Sequence, residues 1–186
     1  MYNPEEDGVT HINMYSKSKC ELGKKLTNFA HTPFEHPKYG HFESVEGLWY
    51  FLKTGKIFEE FRKLYGIQAK KKGQSILKSL PGSKEEQSIN EDFKEDIQLG
   101  IKAKLKSNPE ILKELCLTEL PLAHYYYWGD KYTGYTVKTL EKYDWITETF
   151  EDLRDITRKH WQDKGYIDEN LEIINPNTKK NKKKLK

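Results

Sequence analysis

Residues 42–55 read FESVEGLWYFLKTG. Between Ser44 and Lys53 the run is almost wholly apolar, broken by one acid, Glu46, and closed by one amine, Lys53. A surface helix carries many charges and a plain core helix none. Ser44 is a good N-cap, Gly55 a good stop, and no proline lies between them, so the stretch predicts a helix. On a helical wheel Val45, Leu48 and Leu52 share one stripe, with Phe51 beside it. Glu46, Trp49, Tyr50 and Lys53 share another, at the i, i+3, i+4 and i+7 positions of a single face. Glu46 and Lys53 stand about 10 Å apart along the axis, too far for pairing at backbone level, though a lysine side chain shortens the gap. Two readings follow. The pair is a set of dipole partners, acid in the first turn and amine in the last. Alternatively it is a carboxylate partly desolvated among aromatic rings, tuned for acid/base work or for stabilising a cation. The rings are also a natural surface for a nucleobase or sugar. The helix alone leaves both readings open.

Working outward, the chain holds no internal repeat. Met1 to Gly8 is acidic and reads as a frayed end. HINMYS, residues 11–16, alternates Ile12 and Met14 with polar neighbours and predicts a short strand. From Leu22 to Tyr39 glycine and proline punctuate the chain, with Pro33 and Pro37 bracketing FEH, so loop is expected. IFEEFRKLYG predicts a second helix, with Ile57, Phe58, Phe61 and Leu64 at helical spacing and Gly66 at its end. IQAKKKGQSILKSL predicts another, stopped by Pro81-Gly82, and a long helix is expected from about Ile89 to Leu105. Asn108, Pro109 and Glu110 restart the helix as cap, first-turn proline and dipole-favoured acid. LPLAHYYYWG is strand-like, dense in aromatics, and ends at the Gly129-Asp130 turn. The last helix spans about Tyr143 to Trp161, with Ile146, Phe150, Leu153 and Ile156 on one face. The fold class expected is α+β, helix-rich, with a few short strands.

The 186 residues suit one domain with a real core, and 24 aromatic residues can hold it together where aliphatics are sparse. The formal net charge is +3, but NTKKNKKKLK at residues 177–186 holds six lysines and no acid, which leaves −3 for the rest. The basic balance therefore belongs to the tail. A solvated, disordered end is one reading of it, and a weak tether to nucleic acid, attracting phosphate without sequence preference, is another. Only Arg62, Arg154 and Arg158 are arginines, which argues against an Arg-rich binding surface. Cys20 and Cys116, without a signal-like start, fit free thiols in a reducing, cytoplasmic setting. No apolar stretch approaches a membrane span.

Several segments, in order, resemble the NADAR (YbiA-like) family. The family's opening Leu-Ser-Asn-Phe is matched by LTNF, Leu26 to Phe29, with Pro33-Phe34 shortly after. Its signature helix, Ser-x-Glu-His and then a Gln and a Lys, is matched by Ser44, Glu46 and Lys53, with Gly47 in place of the His and Tyr50 in place of the Gln. Its Ala-Lys-x-x-Gly element is matched by Ala69, Lys70 and Gly73. A Lys-x-x-x-Asn-Pro run into leucine-rich sequence resembles KLKSNPEILKELCLTEL, residues 104–120. A Trp-Gly pair is matched by Trp128-Gly129, and an arginine in the terminal helix by Arg154. The family's Asp before Trp-Gly is Tyr125 here, with Asp130 after the pair as a substitute, and the Asn opening the last helix is Asp144. The resemblance covers about residues 22–155 and implies a single YbiA-like domain over 9–165, followed by an extension and Lys-rich tail over 166–186.

What the resemblance implies is an N-glycosidase of the kind that includes riboflavin-intermediate N-glycosidases and ADP-ribosyl-guanine hydrolases, here a divergent member. Its substrate would be an ADP-ribosyl or related ribosyl-phosphate conjugate, foremost ADP-ribose on guanine in nucleic acid. The alternative is a non-catalytic binder of ADP-ribose or an NAD-derived signal nucleotide. Such bonds break through an oxocarbenium-like transition state. Glu46 would stabilise that charge and take a proton from water, while Lys53 anchors an oxygen or holds Glu46 ionised. Asn28 would bond ribose hydroxyls or a base edge, Phe29 flanks it, and Trp128 with Trp49 and Tyr50 would stack on the base, beside Gly129 and Asp130. Lys70, otherwise one of three lysines on a solvated helix face, becomes a phosphate contact. The scheme needs no metal and no cofactor. His31, His36 and His41, every five residues with Cys20 upstream, match no compact zinc motif. His124, in an aromatic strand, reads as a satisfied core histidine.

Overall fold

A computed structural model describes residues 2–79 and 89–174. Pro81-Gly82 and the Lys-rich stretch at 177–186 lie outside them. A 3-10 turn at Pro4–Glu6 leads to β1 (Ile12–Asn13), α1 (Glu21–Leu26), β2 (Phe34–His36), β3 (Gly40–Phe42) and α2 (Val45–Lys53). A 3-10 turn at Glu59–Lys63 then precedes α3 (Gly66–Ser79), α4 (Glu91–Ser107) and α5 (Pro109–Cys116). β4 (Leu122–Ala123), β5 (Tyr125–Asp130), β6 (Gly134–Thr139), a 3-10 turn at Glu141–Tyr143 and α6 (Asp144–Asp163) are the remaining elements among the described residues. The strands form three separate pairs: β1 with β4 in parallel, β2 with β3 and β5 with β6 antiparallel. This is the expected helix-rich α+β architecture in a single domain.

The opening helix forms where its sequence places it. The Ser44 hydroxyl accepts from the Gly47 amide, an N-cap worth about 1 kcal/mol. All nine residues of α2 are buried, Glu46 and Lys53 included, so both stripes of the wheel face protein. Around α2 the core gathers Phe34 and Phe42 from the β2–β3 pair, Phe93, Ile97 and Ile101 from α4, and Ile146 and Phe150 from α6.

Other expectations need correction. The start is not frayed: the Asp7 carboxylate is buried and accepts from the Asn13 amide, the Ser18 hydroxyl and the Lys19 amide at 2.7–2.9 Å. Within the stretch expected as loop, α1 and β2 form, β2 lying between its two prolines in a two-stranded pair that spares their missing donors. Residues 57–66 do not make a regular helix. The Phe61 carbonyl lies against Gly47, the Arg62 carbonyl accepts from the Glu43 amide, and the Leu64 carbonyl accepts from the Ser44 hydroxyl. Carbonyls committed to other elements cannot serve an i→i+4 ladder, so a short 3-10 turn replaces it, and Gly66 opens α3. The aromatic strand continues through a turn into β6, which its polar sequence hid.

Cys20 and Cys116 are free thiols. Among the described residues no helix is long and apolar enough to cross a membrane, and no cluster of His, Cys, Asp and Glu is arranged to hold a metal ion. His36 is satisfied on both nitrogens: Nε2 donates to the Asp96 carbonyl and Nδ1 accepts from the Lys38 amide.

Candidate active site

A cavity of about 300 Å³ opens where α2, the 26–29 limb after α1, α3 and the β4–β5 corner meet. That size is at the low end for small-molecule pockets. Its polar lining comes from Ser16, Thr27, Asn28, Glu46, Lys70 and His124, and its apolar lining is mainly aromatic. Six residues expected in a site come together here: Asn28, Phe29, Glu46, Trp49, Tyr50 and Lys70.

Each is placed by identifiable contacts. The Glu46 amide donates to the Asn28 carbonyl at 2.9 Å, so the acid and the limb are joined through backbone. Glu46 is 8 % exposed, which makes it a largely desolvated carboxylate at a pocket wall. The Lys70 ammonium sits 5.5 Å from the centre of the Phe29 ring, a cation–π contact across the pocket edge. Trp49 stacks with Trp145 at 6.3 Å and meets Phe93 and Tyr143 edge-on. Tyr50 lies against Gly73 so closely that a Cβ there would fall 1.9 Å from its ring. Trp49 and Tyr50 are 6 % and 2 % exposed and build the wall; the more open rings belong to Phe29, Tyr15, Tyr126 and Tyr143.

Lys53 is buried beyond the lining, its ammonium 5.4 Å from the Trp49 ring. Trp128, Gly129 and Asp130 stand outside the pocket on the exposed outer part of the β5–β6 hairpin. The expected stacking of Trp128 with Trp49 and Tyr50 on one base is corrected by this placement. Strand alternation puts His124, Tyr126 and Trp128 on one side, but the hairpin has left the body by Trp128, which is 55 % exposed. Asp130 does not substitute for a site acid. Its carboxylate accepts from the Tyr132 and Thr133 amides and the Thr133 hydroxyl, closing the turn, and these bonds hold it below the usual carboxylate range.

The two departures at the signature helix have packing reasons. A Cβ on Gly47 would lie 2.4 Å from the Phe61 carbonyl and 2.8 Å from that of Leu64, so this position is closed by backbone. Tyr50 fills the space that Gly73 leaves open.

His124 was expected to be satisfied, and it is not. Its Nδ1 is buried without a hydrogen-bond partner, and burial pushes the imidazole down to about 4, so it is neutral near pH 7. His124, Tyr15, Tyr126 and Tyr143 are pocket residues that motif reading missed. Alternation along HYYYW, which pairs His124 with Tyr126 on one face, is the signal that could have found two of them.

No family model matches the chain, and no curated protein does. Among solved structures it is similar to the E. coli protein YbiA, determined by NMR, with a TM-score of 0.52 and 18 % identity over 83 % of this chain and 92 % of that one. The chain has a divergent YbiA-like fold.

Proposed function

We propose that the protein is an N-glycosidase that hydrolyses the bond between a ribose C1′ and a base nitrogen in an ADP-ribosyl or related ribosyl-phosphate conjugate, with ADP-ribose on guanine in nucleic acid as the foremost substrate. The observation that carries this reading is the buried Glu46 carboxylate at the wall of a largely aromatic pocket, joined through its amide to Asn28 and sharing the pocket with Lys70. In the reaction the C1′–N bond breaks and the base leaves with its electron pair and takes up a proton from solvent. Water adds to C1′ and gives its proton to Glu46. Glu46 thereby both stabilises the oxocarbenium-like charge and serves as base. Asn28 bonds ribose hydroxyls, Lys70 meets a phosphate, and Phe29, Tyr15 and Tyr126 flank the base. Lys53 supplies a buried cation on the same helix face as Glu46. The Lys-rich tail draws a nucleic-acid substrate near by charge alone.

A second reading has its own observation. Gly47 and Tyr50 are committed to packing against the 3-10 turn and α3, which suits a pocket that holds ADP-ribose without cleaving its conjugates. Incubating the full chain with DNA ADP-ribosylated on guanine separates the two. Free ADP-ribose in the supernatant supports the glycosidase, and tight ADP-ribose binding without release supports the binder.

A further inference from the structure

The Lys-x-x-x-Asn-Pro run lines no part of the pocket, yet both of its polar side chains reach the limb that does. Lys104, on α4, is fully buried. Its ammonium donates to the Thr27 carbonyl at 2.9 Å and the Leu26 carbonyl at 3.2 Å, at the C-terminal end of α1. The Asn108 amide donates to the Pro33 carbonyl at 3.2 Å and back to the Lys104 carbonyl at 2.8 Å. Between these anchors lie Asn28 and Phe29. The Asn28 carbonyl is held from the pocket side by the Glu46 amide, and the Phe29 ring faces the Lys70 ammonium. The limb is thus gripped from behind by α4 and its cap, and from in front by α2.

Among the described residues no carboxylate pairs with Lys104; its other close partner is the Phe150 ring, 5.9 Å from the ammonium. Burial alone pushes the amine down to about 7. An amine without a counter-charge is a costly way to fill a core position that methionine fills without that cost. What methionine cannot supply is donors to two carbonyls at the root of the limb.

We propose that Lys104 is a positioning residue for the pocket: with Asn108, it holds the 26–33 limb so that Asn28 and Phe29 stand against Glu46 and Lys70. This rests on the reading of the pocket as an ADP-ribosyl site. Carbonyls at the end of a six-residue helix have few other donors, the Ala30 amide at 3.2 Å from the Thr27 carbonyl being one, so without Lys104 the limb relaxes and the two ligand-facing residues lose their place.

The test uses the full chain with Lys104→Met, Lys104→Gln and Asn108→Ala, free ADP-ribose as the probe, and hydrogen exchange at the amides of residues 27–30. Lys104→Met is expected to unfold cooperatively, to bind ADP-ribose about tenfold more weakly or worse, and to exchange faster at 27–30 than elsewhere. Lys104→Gln, which restores one donor, recovers part of both. If Lys104→Met does not fold, the same two readouts on Lys104→Gln and Asn108→Ala decide. Folded variants with wild-type affinity and unchanged exchange at 27–30 overturn the proposal. A wild-type protein that fails to bind ADP-ribose sinks the functional reading instead, and exchange at the limb without ligand still judges the clamp.

Discussion

The α2 helix and the β5–β6 hairpin both carry residues that the motifs single out, and the structure treats them oppositely. Around α2 every group is enclosed: Ser44 is bonded on both sides, Gly47 and Gly73 are filled by neighbours, and Glu46 is tied to the limb that Lys104 holds from behind. The hairpin instead bonds mainly to itself, and its tip is tied by Asp130, with Trp128 and Tyr132 exposed. A site needs groups whose rotamers are fixed by packing and by supporting hydrogen bonds, and only the first region offers them.

That contrast can be broken in four ways, taken from the largest effect down. The ammonium of Lys104 titrates near 7 in the fold against 10.5 when unfolded, so its deprotonation adds stability as pH rises between those values. Below pH 7 that contribution is absent. Relative to Lys104→Met, the wild type therefore gains roughly 4 kcal/mol from pH 7 to 10.5, read by chemical denaturation at each pH. A difference that stays flat with pH would show that the amine is not held in a desolvated site. Gly73→Ala and Gly47→Ala come next, each costing about 3 kcal/mol, because a ring and two carbonyls occupy the added methyl's space. Midpoints within a few tenths of wild type would mean that α2 is not enclosed as described.

His124→Phe removes an orphaned polar atom and is expected to raise stability at pH 7 by about 1 kcal/mol. The wild-type imidazole is depressed to about 4 in the fold, so its contribution is present above about 6.5 and lost as pH falls through 4. The gain in the variant should accordingly widen under acid. A destabilised variant at both pH values would assign His124 a structural bond. Smallest is Trp128→Ala, expected to change ADP-ribose affinity less than about twofold and stability by under roughly 0.5 kcal/mol. A tenfold loss of affinity would bring the hairpin into the site and erase the comparison.

Much of this was legible in the residues. The Ser44 cap, the apolar stripe of α2 and the restart at Pro109 act within one or two helical turns, and the structure follows them, except that the Asn108 side chain makes no cap bond and instead reaches the Pro33 and Lys104 carbonyls. The misses lie where distant groups decide. Residues 57–66 have helical spacing, but their carbonyls are taken by Ser44, Glu43 and the Gly47 surface. Helix α1 is short and is supported at its end by an amine from residue 104, which local pattern does not reveal. Six pocket residues were readable from motifs and the helical wheel, whereas His124, Tyr15, Tyr126 and Tyr143 reach the pocket through tertiary placement.

The central claim concerns Glu46, and single-turnover release of ADP-ribose from guanine-modified DNA tests it most directly. With Glu46→Gln, which keeps shape and removes charge, the account predicts release slowed by about 10²–10⁴-fold while ADP-ribose still binds within a fewfold of wild type. Release at the wild-type rate by Glu46→Gln would contradict it.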